Sequence, residues 1–247
     1  MRRAITGRDP YRGRSPREIP AYNSFEAAHY LQIPENTIRN WGFGYPYATR
    51  TGRRNITKPL IEVADKERHL FSFANLVEFH VLSALRRDHR LQMKNIRLAI
   101  EYLQDQLNSP RPLIDEEMET DGTDLFVSKY GTFINASHDG QLAMKALLQA
   151  HLRRIERNEG GVAIRLFPFT RRREAEAPVT PPSAPRIITI DPTVAFGRPI
   201  IAGSRVPTVE IAERFKAGDS PTEIADDFNR NEEEILEAIR CELGFAA

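Results

Sequence analysis

Only one cysteine, Cys241, occurs in 247 residues. That count excludes an intrachain disulfide framework and any zinc site built on several thiolates, and it fits a reducing, cytoplasmic setting. No apolar run approaches the roughly 20 residues that a bilayer-spanning helix needs. The Arg-rich first residues lack the apolar stretch of a secretory signal, so no membrane association is expected. The short motifs of common catalytic machineries are missing as well. There is no Walker-type lysine loop, no G-x-S-x-G and no H-E-x-x-H, the six histidines are scattered, and Gly203-Ser204-Arg205 is not a nucleophile elbow. The acids Asp115, Glu116, Glu117, Glu119, Asp121 and Asp124 lack the Gly-centred order of an EF-hand loop. They read as a solvated loop, with a metal-dependent nuclease as the one enzymatic alternative. The expectation is no enzyme, no catalytic residue, no metal and no cofactor.

Net charge is also nearly absent, at +1 overall, but its distribution is uneven. Residues 1–60 carry eleven Arg/Lys against four Asp/Glu, a net +7, whereas residues 186–247 carry seven against twelve, a net −5. A basic end suits a polyanion and an acidic end suits a different task. With 40% apolar and 28% charged residues, the chain has the make-up of a globular protein long enough to bury a core. Residues 1–20 contain six arginines and three prolines and predict a disordered basic arm. Residues 171–185 (RRREAEAPVTPPSAP) predict an extended linker, which leaves residues 186–247 as a separate module.

From Tyr22 to Trp41 the sequence predicts a helix-turn-helix. Asn23 and Glu26 have the spacing of a capping box. Ala27, Ala28 and Leu31 give a short helix with a small-residue face. Gln32 and Ile33 form the turn, and Pro34 can begin a second helix. Ile38 and Trp41 then share its inner side, leaving Asn36, Thr37, Arg39 and Asn40 free to face DNA, where such residue types read base edges and phosphates. This string resembles the MerR-type and excisionase-type DNA-binding domains. Two departures are Gln32, where those families often have Gly, and Pro34, where they often have a Ser cap. The resemblance implies a β-hairpin wing in the Gly- and Arg-rich stretch 42–59, with Arg50, Arg53, Arg54 and Lys58 on the phosphate backbone; a basic loop is the alternative.

In the middle, Phe73, Leu76, Val77, His80, Val81, Ala84 and Leu85 recur at helical spacing and predict an amphipathic helix. Met93, Ile96, Ile100 and Leu103 predict a second, and His80 reads as a core histidine rather than a ligand. Leu125-Phe126-Val127, Lys129-Tyr130-Gly131 and Thr132-Phe133-Ile134 predict a β-hairpin. A helix starting near Asp139 follows, whose narrow stripe Met144, Leu148, Leu152 and Ile155 could be core or a seam between subunits. Ala163–Phe169 predicts a strand.

In the last module, Ile187–Ile190 and Pro199–Ile201 predict strands. Three short helices follow, closed or opened by Gly218, Ser220 with Glu223, and Asn231. The run Asp191-Pro192, Gly197, Pro199, Ile201, Gly203, Arg205-Val206, Gly218, Ser220 and Glu223-Ile224-Ala225 resembles the small domain of unknown function used as VapB-like antitoxins. The first half resembles the MerR-like extension of the longer members. Departures are Ser204, Phe228 and Cys241. The fold class expected is therefore mainly α with small β-hairpins: a MerR-like winged helix-turn-helix over residues 21–110, a small α+β extension over 111–170, and a three-helix module over 186–247. The resemblance implies the antitoxin of a type II toxin–antitoxin pair. Such a protein binds operator double-stranded DNA, represses its own operon as a homodimer, and neutralises a PIN-like ribonuclease toxin, with Arg198 and Arg205 as candidate toxin contacts. A MerR-like transcriptional regulator without a toxin is the alternative.

Overall fold

A computed structural model describes residues 11, 13–48, 54–84, 93–134, 136–170 and 185–244. Most of the expected arm and nearly all of the expected linker lie outside these. Among the described residues the chain is mostly helical with two small antiparallel sheets. The first half holds α1 (Ser24–Leu31), α2 (Glu35–Phe43), the hairpin β1 (Pro46–Ala48) and β2 (Arg54–Ile56), α3 (Phe73–Ser83) and α4 (Met93–Leu107). Next come α5 (Asp121–Ile134), α6 (His138–Leu152), β3 (Ile155–Arg157) and β4 (Ala163–Leu166). The last stretch holds β5 (Ile188–Ile190), β6 (Pro199–Ile201), α7 (Thr208–Ala217), α8 (Pro221–Phe228) and α9 (Glu232–Leu243).

One core runs from Tyr22 through Leu166 to Ile190, so the middle shares its interior with the N-terminal helices. At its centre lies α3, where every residue from Phe73 to Leu82 is buried. The amphipathic helix read from the sequence is thus enclosed on its polar side too. Two polar residues survive there because their partners are supplied. Asn75 donates to the Glu62 carbonyl at 2.7 Å and to Glu78 at 2.9 Å, and accepts from the Ala64 amide at 3.0 Å. Arg111 reaches Glu78 at 3.2 Å and Glu18 at 3.2 Å. Burial pushes the Glu78 carboxyl up to about 7, against the opposing pull of Arg111. The same helix carries His80, whose ring stands 3.1 Å from the His151 carbonyl and stacks on Phe169. Burial and the neighbouring His151 hold it well below the ordinary imidazole range.

The hairpin expected over residues 125–134 is a helix, α5. Phe126 and Tyr130, four apart, are both fully buried and stack at 5.8 Å, and the Lys129 ammonium lies over the Tyr102 ring of α4. The contacts follow helical spacing, and packing on α4 outweighs the strand preference of aromatic and β-branched residues. Gly131, inside the expected hairpin, instead admits α6: a Cβ there would lie 3.0 Å from the Gln141 side chain. For α6 the structure selects between the two readings left open: Met144, Leu148, Leu152 and Ile155 are 9%, 1%, 1% and 6% exposed, so this stripe is core of one chain and not a seam to a second subunit. A second correction concerns the arm, whose residues 16–18 form a 3-10 turn tied to Arg111 through Glu18. The acidic stretch after Arg111 forms 3-10 turns and the start of α5 rather than an open loop.

The C-terminal segment has a core of its own, built on Ile188, Ile201, Ile211, Ile224, Ile235 and Ile239. It is nevertheless joined to the rest. The larger sheet has the order β3-β4-β5-β6, and Leu166 of β4 pairs with Ile190 of β5. Arg154, 6% exposed, clamps the junction: its guanidinium donates to the carbonyls of Phe167 at 2.7 Å, Pro168 at 3.0 Å and Pro185 at 3.0 Å. Thr170 donates to the buried Glu237 of α9, and Tyr22 donates to the Gly197 carbonyl at 2.9 Å.

Candidate nucleic-acid and partner interface

The first two helices are set by local signals. Asn23 and Glu26 form the reciprocal capping box at 2.9 Å each, satisfying amides that the first turn leaves open. Gln32 ends α1 with φ 54°, a left-handed conformation that glycine adopts most easily, and its side chain donates to the His29 carbonyl at 3.1 Å. The residue that departs from the resembling families thus takes the glycine geometry. Pro34 caps α2, and Ile38 and Trp41 turn inward at 0% and 3% exposure, Trp41 stacking on Phe79. Gly42 is buried where a Cβ would lie 2.7 Å from Phe71, which lets α2 lie close on the core.

With that side fixed, Asn36 and Arg39 are exposed and Thr37 and Asn40 half-buried. Arg39 makes only a loose contact with Glu35, at 3.8 Å, with both side chains about half exposed. After α2 comes the β1–β2 hairpin, register Tyr47↔Asn55, with all six strand residues exposed. Arg54 and Lys58 are exposed there. Arg97 of α4 donates to the Lys58 carbonyl, and Thr57 and Tyr45 bond reciprocally at 3.0 Å. Asn36, Arg39, Arg54 and Lys58 therefore lie on the solvent side of one helix and the hairpin that follows it. Arg50 and Arg53 fall outside the described residues.

The two arginines expected to meet a protein partner sit in the C-terminal segment, and both are exposed. Its other cations are engaged. Arg214 pairs with Asp219 and Asp227, Lys216 with Glu213, Arg230 with Glu234, Arg240 with Glu237, and Arg186 lies over Phe167. Arg198 and Arg205 take part in no ion pair among the described residues. Beside Arg198, Phe196 is 94% exposed. The sequence reading missed this residue, since an isolated aromatic next to glycine carries no periodic signal. The acids of the middle segment do not converge on a site: Glu119 pairs with Arg157 at 2.7 Å and Asp124 with Lys145. Among the described residues no group of three acids, histidines or cysteines could hold a metal, and no helix is long and apolar enough to cross a membrane.

Comparisons with known proteins follow the same division. Residues 20–100 match the family described as "Putative DNA-binding HTH domain", and residues 188–240 match "Protein of unknown function (DUF433)". A curated protein of Mycobacterium tuberculosis, "Putative antitoxin VapB45", is 23% identical over 239 residues, covering 90% of this chain and 93% of that one. The crystal structure of Rv2018 from Mycobacterium tuberculosis has the same fold, with a TM-score of 0.62 at 19% identity over 90% of this chain and 98% of that one. The resemblance to VapB-like antitoxins thus extends along nearly the whole chain.

Proposed function

We propose that this chain is the antitoxin of a type II toxin–antitoxin pair, a regulator rather than a catalyst. It binds operator DNA through α2, represses its own operon, and neutralises a PIN-like ribonuclease by covering it. The observation that carries the DNA half is the division of α2: Ile38 and Trp41 are sealed into the core while Asn36 and Arg39 face solvent. A nine-residue helix is about 13 Å long and fits a major groove. The β1–β2 hairpin serves as a MerR-like wing, its Arg54 and Lys58 meeting phosphates. So short a helix contacts few bases, and a two-fold homodimer on a palindromic operator doubles them. The surface for that dimer lies elsewhere than on the buried α6 stripe. The toxin half is supported by the similarity to an antitoxin and by the two exposed arginines in the acidic segment.

Mobility shifts on the operon's own promoter test the DNA half. Arg39→Ala is expected to weaken operator binding and relax discrimination against mutated sites together, by about 1–3 kcal/mol. Arg54→Ala and Lys58→Ala should weaken all duplexes alike and each reduce the salt slope by about one. Unchanged operator affinity in Arg39→Ala would remove α2 from the groove. Co-expression with the neighbouring gene's product tests the toxin half: a MerR-like regulator without a toxin would bind DNA normally and purify alone.

A further inference from the structure

We propose that the loop from Asp191 to Arg198 is a preformed anchor for a protein partner, with Phe196 as the knob and Arg198 as its charged neighbour. The occupant is the ribonuclease that the chain neutralises, and to that extent the inference rests on the reading above.

The loop is rigid and strained, not loose. Ala195, Phe196 and Gly197 have φ of 48°, 57° and 77° in succession. A bulky side chain rarely adopts this left-handed region, and such strain persists only where the surroundings impose it. They do so here from both ends. The Asp191 carboxylate, 6% exposed, accepts from the Thr193 amide at 2.8 Å, the Thr193 hydroxyl at 2.6 Å and Arg165 at 2.9 Å. At the other end Tyr22 holds the Gly197 carbonyl. Within the loop, the Gly197 amide donates to Val194 at 2.9 Å and the Arg198 amide to Ala195 at 3.1 Å. Among the described residues no packing is gained from projecting the Phe196 ring, since it is 94% exposed. An aromatic paired with an arginine is the usual composition of an interface hot spot, and preformed loops spare the ordering cost of binding.

Charge selects the occupant. The segment carries a net −5, which repels duplex phosphates and a second copy of itself alike. A ribonuclease has the complementary pattern: a basic surface for RNA around the carboxylates that hold its metal. The acidic segment faces the first, Arg198 meets the second, and Phe196 enters an apolar pocket beside them.

The test uses the full-length chain titrated by calorimetry into the purified ribonuclease encoded beside it. Phe196→Ala is expected to weaken binding by about 30-fold or more and Arg198→Ala by about tenfold. Leu142→Ala, which removes an apolar side chain 52% exposed on α6, should stay within about twofold. Phe196→Gly separates anchoring from folding, because glycine suits the left-handed backbone. It should lose the same affinity with a melting temperature that is unchanged or higher. Wild-type affinity in Phe196→Ala overturns the proposal. So does a change in oligomeric mass by light scattering, which assigns the ring to a second copy, or a loss of operator binding, which assigns it to DNA. Failure of the wild-type chain to bind the ribonuclease overturns the antitoxin reading and this occupant with it. That outcome is distinct from a wild type that binds and a Phe196→Ala that binds equally.

Discussion

The contact between Tyr22 and Gly197 joins residues 175 positions apart, and Gly197→Ala should expose how much it matters. Alanine at φ 77° costs about 1–2 kcal/mol in backbone strain alone. The added Cβ would also lie 2.2 Å from the Tyr22 hydroxyl oxygen, so one of the two must move. Tyr22 is 3% exposed, and its displacement breaks the 2.9 Å bond to the same residue's carbonyl. Losing a buried hydroxyl's partner costs a further 1–3 kcal/mol or so. A total of about 3 kcal/mol follows, a fall in melting temperature on the order of 10 °C for a chain of this length. Urea unfolding measures it, with Gly203→Ala as the control. That glycine has φ 73° but nothing within 4 Å of its Cβ position, so it should lose only the strain, about 1–2 kcal/mol. Tyr22→Phe completes a double-mutant cycle. Without the oxygen, the nearest ring atom stands 3.1 Å from the new Cβ, and Gly197→Ala should become cheaper by about 1–2 kcal/mol. Strictly additive losses, or equal losses in Gly197→Ala and Gly203→Ala, would refute the steric account.

Glu78 should make stability pH-dependent in an unusual direction. Its folded value of about 7 lies above the ordinary 4.5, so the native state holds the extra proton, and this contribution is complete below pH 4.5 and lost as pH rises toward 7. Urea unfolding between pH 5 and 8 should show wild type declining where Glu78→Gln stays flatter, by on the order of 1–3 kcal/mol; parallel profiles would refute the assignment. Arg154→Met keeps the stem but leaves the Phe167, Pro168 and Pro185 carbonyls without this donor. It should cost about 3 kcal/mol or more in the same measurement, and a loss under 1 kcal/mol would show that water replaces the guanidinium.

The helix-turn-helix and the three C-terminal helices were legible because their signals are local. Asn23 with Glu26, Ser220 with Glu223 and Asn231 with Glu234 each close a reciprocal capping box, and Gly218 ends α7 in the left-handed conformation. Ile38 and Trp41 fix the rotation of α2 by their spacing, which is why Asn36 and Arg39 could be read in advance as solvent-facing, whereas Thr37 and Asn40, read the same way, are half-buried. The misread segment is α5, where aromatics and β-branched residues imitate a strand and only contact with α4 and α6 selects a helix. The burial of Asn75 and Glu78 was hidden for a related reason: a polar residue on a helix reads as solvent-facing until a distant partner, here Arg111, is brought to it. Phe196 was illegible because its exposure depends on three successive positive φ angles and on Tyr22, none of which leaves a periodic mark.

The strand pairing of β4 with β5 bears on how the protein can be dissected. Expressing residues 1–170 alone strips a neighbour from β4, leaves an open strand edge prone to self-association, and takes from His29 of α1 its partner Glu242 of α9, 3.3 Å away. A fragment of that kind can fail at every task for want of folding. Splitting the gene while keeping both pieces is the sounder route: residues 1–184 and 185–247, translated in one cell, already share a sheet, a buried arginine clamp and the Tyr22 contact, and can reassemble as two polypeptides.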